Sequence, residues 1–168
     1  MKHQYFGDRR DYFKYDLVIF LAQLLPGIQR FTFIPMLTPS DSSGHGGKTN
    51  YAQAGGNHML YMFLQECINE QRRSVAQLRS FFGQCNLGFE YCPYSDELCF
   101  EHDRRGSYFA GIPNGYLDHA VVLADPDNGL EIKTMRPSTG HKYITYNEVK
   151  DVYLRMSFLR LIYHPLSS

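Results

Sequence analysis

The chain has no tryptophan and no excess of either charge, with seventeen Lys and Arg set against seventeen Asp and Glu. A domain built to coat nucleic acid is usually basic, so any nucleic-acid contact here is confined to a local patch. No apolar run approaches the roughly 18 residues that cross a bilayer, and no membrane partner is expected. The opening MKHQYFGDRR has no apolar signal core, so a cytoplasmic location is the expectation. Cysteine is sparse. Cys67, Cys85, Cys92 and Cys99 form no compact pair of the kind that marks zinc sites. Cys85, Cys92, Cys99 and His102 are spaced too widely for a strong zinc signature, so buried thiols are expected instead.

What is present is an ordinary globular composition over 168 residues, with 43% hydrophobic and 20% charged residues. That excludes disorder, collagen and coiled coil, and it fits one domain over residues 1–168. A chain of this size buries about 70% of the surface its unfolded form exposes. The apolar mass is unusually aromatic, with 13 Tyr and 12 Phe.

Helical spacing of Tyr12, Tyr15, Ile19 and Leu24 predicts a helix over Asp11–Leu25, stopped by Pro26-Gly27. Phe31–Leu37 is short, apolar and rich in strand formers, with Pro35 implying an edge or a bulge. A glycine-rich loop follows over Thr38–Thr49. A helix broken at Gly55-Gly56 then runs to Gly83. Leu87–Cys92 reads as a short strand, and a short helix is expected near Asp103–Phe109. Ala120–Ala124 is continuously apolar, the mark of a strand buried on both faces. Leu130–Met135 reads as a further strand. A helix capped by Asn147 and a last strand over Phe158–Tyr163 complete the pattern. Strands alternating with helices predict an α/β fold: three layers, a mostly parallel sheet and helices on both faces, Rossmann-like.

Two segments can carry chemistry. Ser42-Ser-Gly-His-Gly-Gly47-Lys48-Thr49 follows a strand and precedes a helix, the setting of a phosphate-binding loop. Gly47 and Lys48, together with Lys142 farther on, are the expected phosphate contacts. The second segment is Asp125-Pro-Asp127-Asn-Gly-Leu-Glu131-Ile-Lys133, delivered by the buried strand. Ligands gather at such strand ends in open α/β sheets. Asp125, Asp127 and Glu131 offer hard oxygen ligands for magnesium, and Lys133 stands where it can position water. The acid, acid-x-lysine order resembles the PD-(D/E)xK nucleases, and Asp-Pro-Asp-Asn resembles the Asp-Pro-Pro-Tyr phrase of amino-methyltransferases. Asp8, Asp11, Lys14, Glu148 and His164 are further site candidates.

Tyr5-Phe-Gly-Asp8, Asp11-Tyr12 with Lys14-Tyr15, Leu37-Thr-Pro39 with Asp41, Gly47-Lys48, Asp125 through Glu131, Lys142-Tyr143, Glu148 and Tyr163-His164 occur in this order. The series resembles an uncharacterised family of bacterial and phage proteins reading YFGD, DYxKY, LTPxD, DGKK, LDPDNGLE, KY, E and YQH. Gly46 stands where that family has Asp, and no Gln separates Tyr163 from His164. The resemblance implies that these polar residues form one site. The expected function is a magnesium-dependent phosphodiesterase or nuclease acting on nucleic acid or a nucleotide. The alternatives are a non-catalytic nucleotide- or protein-binding factor of defence or anti-defence, and a methyltransferase-like transferase.

Overall fold

The structure, a computed structural model, describes residues 1–40, 47–51, 55–157 and 162–163. Helix α1 spans Arg9–Leu24. It starts where the Asp8 carboxylate accepts from the backbone N–H groups of Arg10 and Asp11, both at 2.9 Å. This side-chain cap satisfies two of the orphan donors at the helix start. Strand β1, Arg30–Ile34, stops before Pro35, which has no N–H for a ladder. Pro35 therefore marks a strand end, not the edge or bulge its presence implied. β1 is central, with partners on both sides.

Helix α2, His58–Asn69, is capped by Asn57. The helix expected to continue to Gly83 breaks after it. Gln71 is left-handed at φ 58°, and Arg72 N–H returns to the Cys67 carbonyl at 2.8 Å. The run Glu70-Gln-Arg-Arg-Ser74 supplies no apolar residue to hold a further turn against the core. Chain direction recovers through a 3-10 turn, Val75–Gln77, into α3, Leu78–Gln84. Strand β2 is Glu90–Pro93, followed by α4, Arg105–Ala110, and α5, Asn114–Leu117. Strand β3, Ala120–Ala124, is buried at every position.

The expected strand over Leu130–Met135 shrinks to β4, Gly129–Leu130, which pairs in parallel with β5, Tyr143–Ile144. Beyond it Ile132 is 51% exposed and Lys133 and Thr134 are exposed, so the run gains little burial. Helix α6, Tyr146–Arg155, is capped by Thr145, not Asn147. Thr145 and Glu148 form a reciprocal capping box there. Of the last expected strand, Ile162–Tyr163 is described, as β6.

The main sheet has the order β2-β1-β3-β6, and each neighbouring pair is parallel. Side chains of β1 and β3 alternate between its faces, as strand geometry requires. Phe31, Phe33, Val121 and Leu123 pack with residues of α1, α2 and α3. Ile34, Val122 and Ala124 pack with Phe109, Leu117, Val152 and Met156 from α4, α5 and α6 and the segment after it. The aromatic excess lies largely in the first cluster, where Phe31, Phe82 and Tyr91 are in mutual ring contact. None of the helices among the described residues is long and apolar enough to cross a membrane.

Gly56 sets the approach of α2 to α1. The Asn57 N–H donates to Asp16 at 2.7 Å, and the Tyr12 hydroxyl donates to the Gly55 carbonyl at 2.9 Å. A Cβ on Gly56 would come 2.6 Å from the Tyr12 hydroxyl, at a backbone φ of +71°. Gly55 has a similar φ, +82°, but open space around it. Both alanine variants carry the left-handed cost of roughly 1–2 kcal/mol, and only Gly56→Ala adds a clash. Urea unfolding should show Gly56→Ala losing more stability than Gly55→Ala; equal losses would mean the helix contact relaxes freely.

Candidate functional site

Because β1 lies between β2 and β3, the chain leaves β1 in one direction to reach β2 and then crosses back to β3. The carboxyl ends of β1 and β3 thus flank a topological switch point, where open α/β sheets form their ligand crevices. β3 delivers Asp125 to this place, and its N–H extends the ladder to the Ile34 carbonyl at 2.9 Å.

Asp125 is 3% exposed and is not free. Lys14 Nζ lies 2.6 Å from its Oδ2 and 2.7 Å from Asp11 Oδ1. Asp11 and Lys14 are three residues apart on α1, so one helical face turns both toward the sheet edge. The Tyr15 hydroxyl donates to Asp11 Oδ2 at 3.4 Å. The Met1 amine donates to the carbonyls of Met36 and Asp125, each at 3.1 Å. Met36 is a buried non-glycine residue at φ 44°, a strained conformation of the sort that gathers at functional sites. Lys2 Nζ sits 3.5 Å from Asp127 Oδ2. Asp127 Oδ1 is buried with no hydrogen-bond partner among the described residues.

Burial raises Asp11 to about 7; Lys14 opposes the rise, while Asp125 and Asp8 add to it. Burial alone would lower Lys14, but the carboxylates of Asp11 and Asp125 outweigh it and hold the ammonium well above its ordinary value. Burial also lowers the Met1 amine to about 6, against the pull of Asp125 and Asp127. His141 is shifted down, first by burial and then by Lys142, with Asp127 opposing.

The structure gathers Asp8, Asp11, Lys14, Asp125 and Asp127 at this edge, and adds Lys2, which no sequence pattern singled out. Glu131 is committed elsewhere, since its Oε1 accepts from the Tyr146 N–H at the start of α6. Lys133 is exposed. Asp125 thus meets the Lys14 ammonium, while Glu131 meets the start of α6. Among the described residues, no three His, Cys, Asp or Glu side chains converge to hold a metal.

Glu148 serves another centre. Arg105 meets it with two bonds of 2.5 and 2.8 Å, and also donates to the carbonyls of Gly140 and Tyr143. The second Glu148 oxygen closes the cap on Thr145 N–H at 2.7 Å. Its carboxylate is thereby consumed in joining α4 to α6.

Lys48 is exposed, and its carbonyl accepts from Arg9 N–H at 3.1 Å, which ties the glycine-rich loop to the start of α1. Gly47 is exposed beside it. Lys48-Thr49 forms a turn, and the next helix among the described residues begins at His58, so the pair does not open a helix as a nucleoside-triphosphate loop would. The Lys142 carbonyl accepts from Asn128 N–H at 2.8 Å, which roots Lys142 beside the Asp125–Gly129 turn. His164 and residues 41–46 lie outside the described residues. Cys67 and Cys92 are buried, Cys85 is half-buried and Cys99 is exposed. Burial pushes the Cys92 thiol up to about 11.

No family model, no curated protein and no solved structure matches this chain.

Two outcomes follow from the Lys14 bridge. Lys14→Met strands two buried carboxylates, a change that costs about 3–5 kcal/mol when a buried pair is broken; a loss under 1 kcal/mol in denaturant unfolding would show that water reaches the cluster. Asp11 is raised above its ordinary 3.8 to about 7. Its contribution to stability is therefore full below pH 4 and is lost as pH rises through 7. Wild type should lose stability relative to Asp11→Asn across that window, read as the difference between the two unfolding curves at each pH. A constant difference would mean Asp11 is ionised throughout.

Proposed function

We propose that this chain is a three-layer, Rossmann-like α/β protein that binds a phosphate-bearing ligand, a nucleotide or a nucleic-acid strand, at the carboxyl edge of its parallel sheet. The observation that carries the reading is the convergence at one switch point of the Lys14-bridged carboxylates, the Asp125–Gly129 turn and the attachment of the glycine-rich loop. Several buried charged side chains gathered at one strand end are costly to desolvate, and such clusters concentrate at functional sites. Lys48 and Lys142 are rooted on either side and supply the cations that an anionic ligand meets.

A cavity of about 320 Å³ lies in the segment that follows β2, and no residue of the Lys14 cluster lines it. It is lined by Ser95, Cys99, Arg104, Ser107 and Tyr108 among others. The segment that carries it is tied to β1 and its extension, through Tyr94 N–H to Phe33 and Phe100 N–H to Leu37. This volume falls in the range of small-molecule sites and suits one planar ring system. Lys14 supplies the positive charge between Asp11 and Asp125, so binding in this reading needs no metal at Asp125.

One observation favours a second reading, a methyltransferase-like transferase. The Asp-Pro-Asp-Asn phrase ends the strand adjacent in space to β1, the place where a transfer phrase meets a cofactor bound at a switch point.

Titration calorimetry with ATP, with a short single-stranded oligonucleotide and with S-adenosylmethionine, each with and without magnesium, separates these readings. Saturable binding of ATP or the oligonucleotide is expected, weakened about tenfold by Lys48→Ala or by Lys142→Ala; Lys48 is exposed and adds little to stability, so Lys48→Ala should leave the melting temperature unchanged. Binding of S-adenosylmethionine alone would replace this reading with methyl transfer. Magnesium-dependent cleavage of the strand, lost in Asp127→Asn, would replace it with metal-dependent hydrolysis. No binding by any of the three would end it.

A further inference from the structure

Helix α1 is apolar on two opposite faces. Its inner face buries Tyr15, Val18, Ile19 and Ala22. Its outer face carries Phe13, Leu17, Phe20 and Leu24, spaced four, three and four residues apart. Phe13 and Phe20 are each 57% exposed and Leu24 is 61% exposed. A surface helix normally keeps its outer face polar, and one that is apolar all round is normally covered. A single exposed Leu needs no explanation, whereas a continuous stripe along a helix does.

We propose that a second copy of this chain covers the stripe, with the two α1 helices packed antiparallel about a two-fold axis that passes between Val18 and Ile19. The spacing is its own mirror under that operation. Reversed, four-three-four stays four-three-four, which sets Phe13 against the other copy's Leu24 and Leu17 against its Phe20. Each large ring then meets a smaller branched side chain, the alternation that lets facing layers interdigitate. A two-fold contact demands this kind of self-complementary patch. The mean spacing of 3.5 residues also suits helices crossing at about 20°.

Charge agrees with the antiparallel direction. Arg9 and Arg10 are exposed in the first turn of α1, at the positive end of their own helix dipole. The antiparallel arrangement brings them toward the negative carboxyl end of the other α1. No basic residue of α1 itself occupies that end.

The proposed contact extends from α1 onto α2, and its area is then sufficient. α2 lies beside α1 on the same side of the sheet and turns Met59 and Met62 outward, 56% and 53% exposed. At about 200 Å² for an aromatic side chain and slightly less for Leu and Met, the five exposed side chains offer about 550 Å² per copy. A symmetric contact then removes about 1,100 Å², above the roughly 1,000 Å² of a specific interface.

Sedimentation of the full chain should give a dimer of two 19.5 kDa chains at micromolar concentration. Phe20→Glu should raise the dissociation constant by about a hundredfold or more while circular dichroism and melting of the monomer stay native, because Phe20 is more than half exposed within one copy and lies outside the buried core. Direction is read by disulfide capture in a Cys99→Ser background. A mixture of Phe13→Cys and Leu24→Cys chains should crosslink to each other. Phe13→Cys alone should not, since antiparallel packing leaves its two copies about 16 Å apart at 1.5 Å rise per residue. A wild-type monomer at 100 micromolar, a dimer indifferent to Phe20→Glu, or self-crosslinking of Phe13→Cys would each overturn the proposal.

Discussion

The ammonium of Lys14, held between Asp11 and Asp125, is the interaction on which the rest of the sheet edge depends. It joins the first helix to the end of the central strand across 111 positions of sequence. Its burial lowers the local dielectric, so the attraction is strong, and so is the penalty for losing one partner. Asp8 caps the same helix one turn earlier, and Lys2 reaches Asp127 one turn of chain after Asp125. The edge is therefore a short ladder of alternating charge, with α1 on one side and the Asp125–Gly129 turn on the other.

That ladder rests on two apolar faces. β1 and β3 each send alternate residues to opposite sides, and the aromatic side receives α1, α2 and α3. The opposite side is smaller and is closed by a second ionic device, the two-bonded Arg105–Glu148 pair. Arg105 also lies 5.2 Å from the centre of the Phe100 ring and gathers the loop carbonyls of Gly140 and Tyr143. A guanidinium suits this hub because its fork satisfies several acceptors at once. The two devices use different acidic residues of the chain's second half. Asp125 and Asp127 face the switch point, while Glu148 holds α6 in place.

Much of the architecture was legible beforehand. The buried strand over Ala120–Ala124, the first helix and the parallel α/β character follow from apolar periodicity and from turn residues, which act locally. Element ends were less legible, and for identifiable reasons. Pro35 ends a central strand, because a proline just past the last ladder bond costs nothing. The long helix breaks at Gln71, since five polar residues give it no face to bury. Leu130–Met135 has alternating character, but among the described residues its pairing with β5 ends at Leu130, and a strand without a partner does not persist.

The site was half visible. A carboxylate directly after five apolar residues marked Asp125, because few strands bring a charge into a core without a use for it. Glu131 and Lys133 followed in sequence by the same spacing logic, yet one caps a helix and the other faces solvent. Residue types and local spacing alone thus determined the mostly parallel α/β character, the buried strand β3 and the charged residue at its end. Which carboxylates meet, and that a lysine joins Asp11 to Asp125, was decided by the packing of α1 across the ends of β1 and β3. Ion pairing between groups more than a hundred residues apart depends on relative placement in space, and no local pattern carries that information.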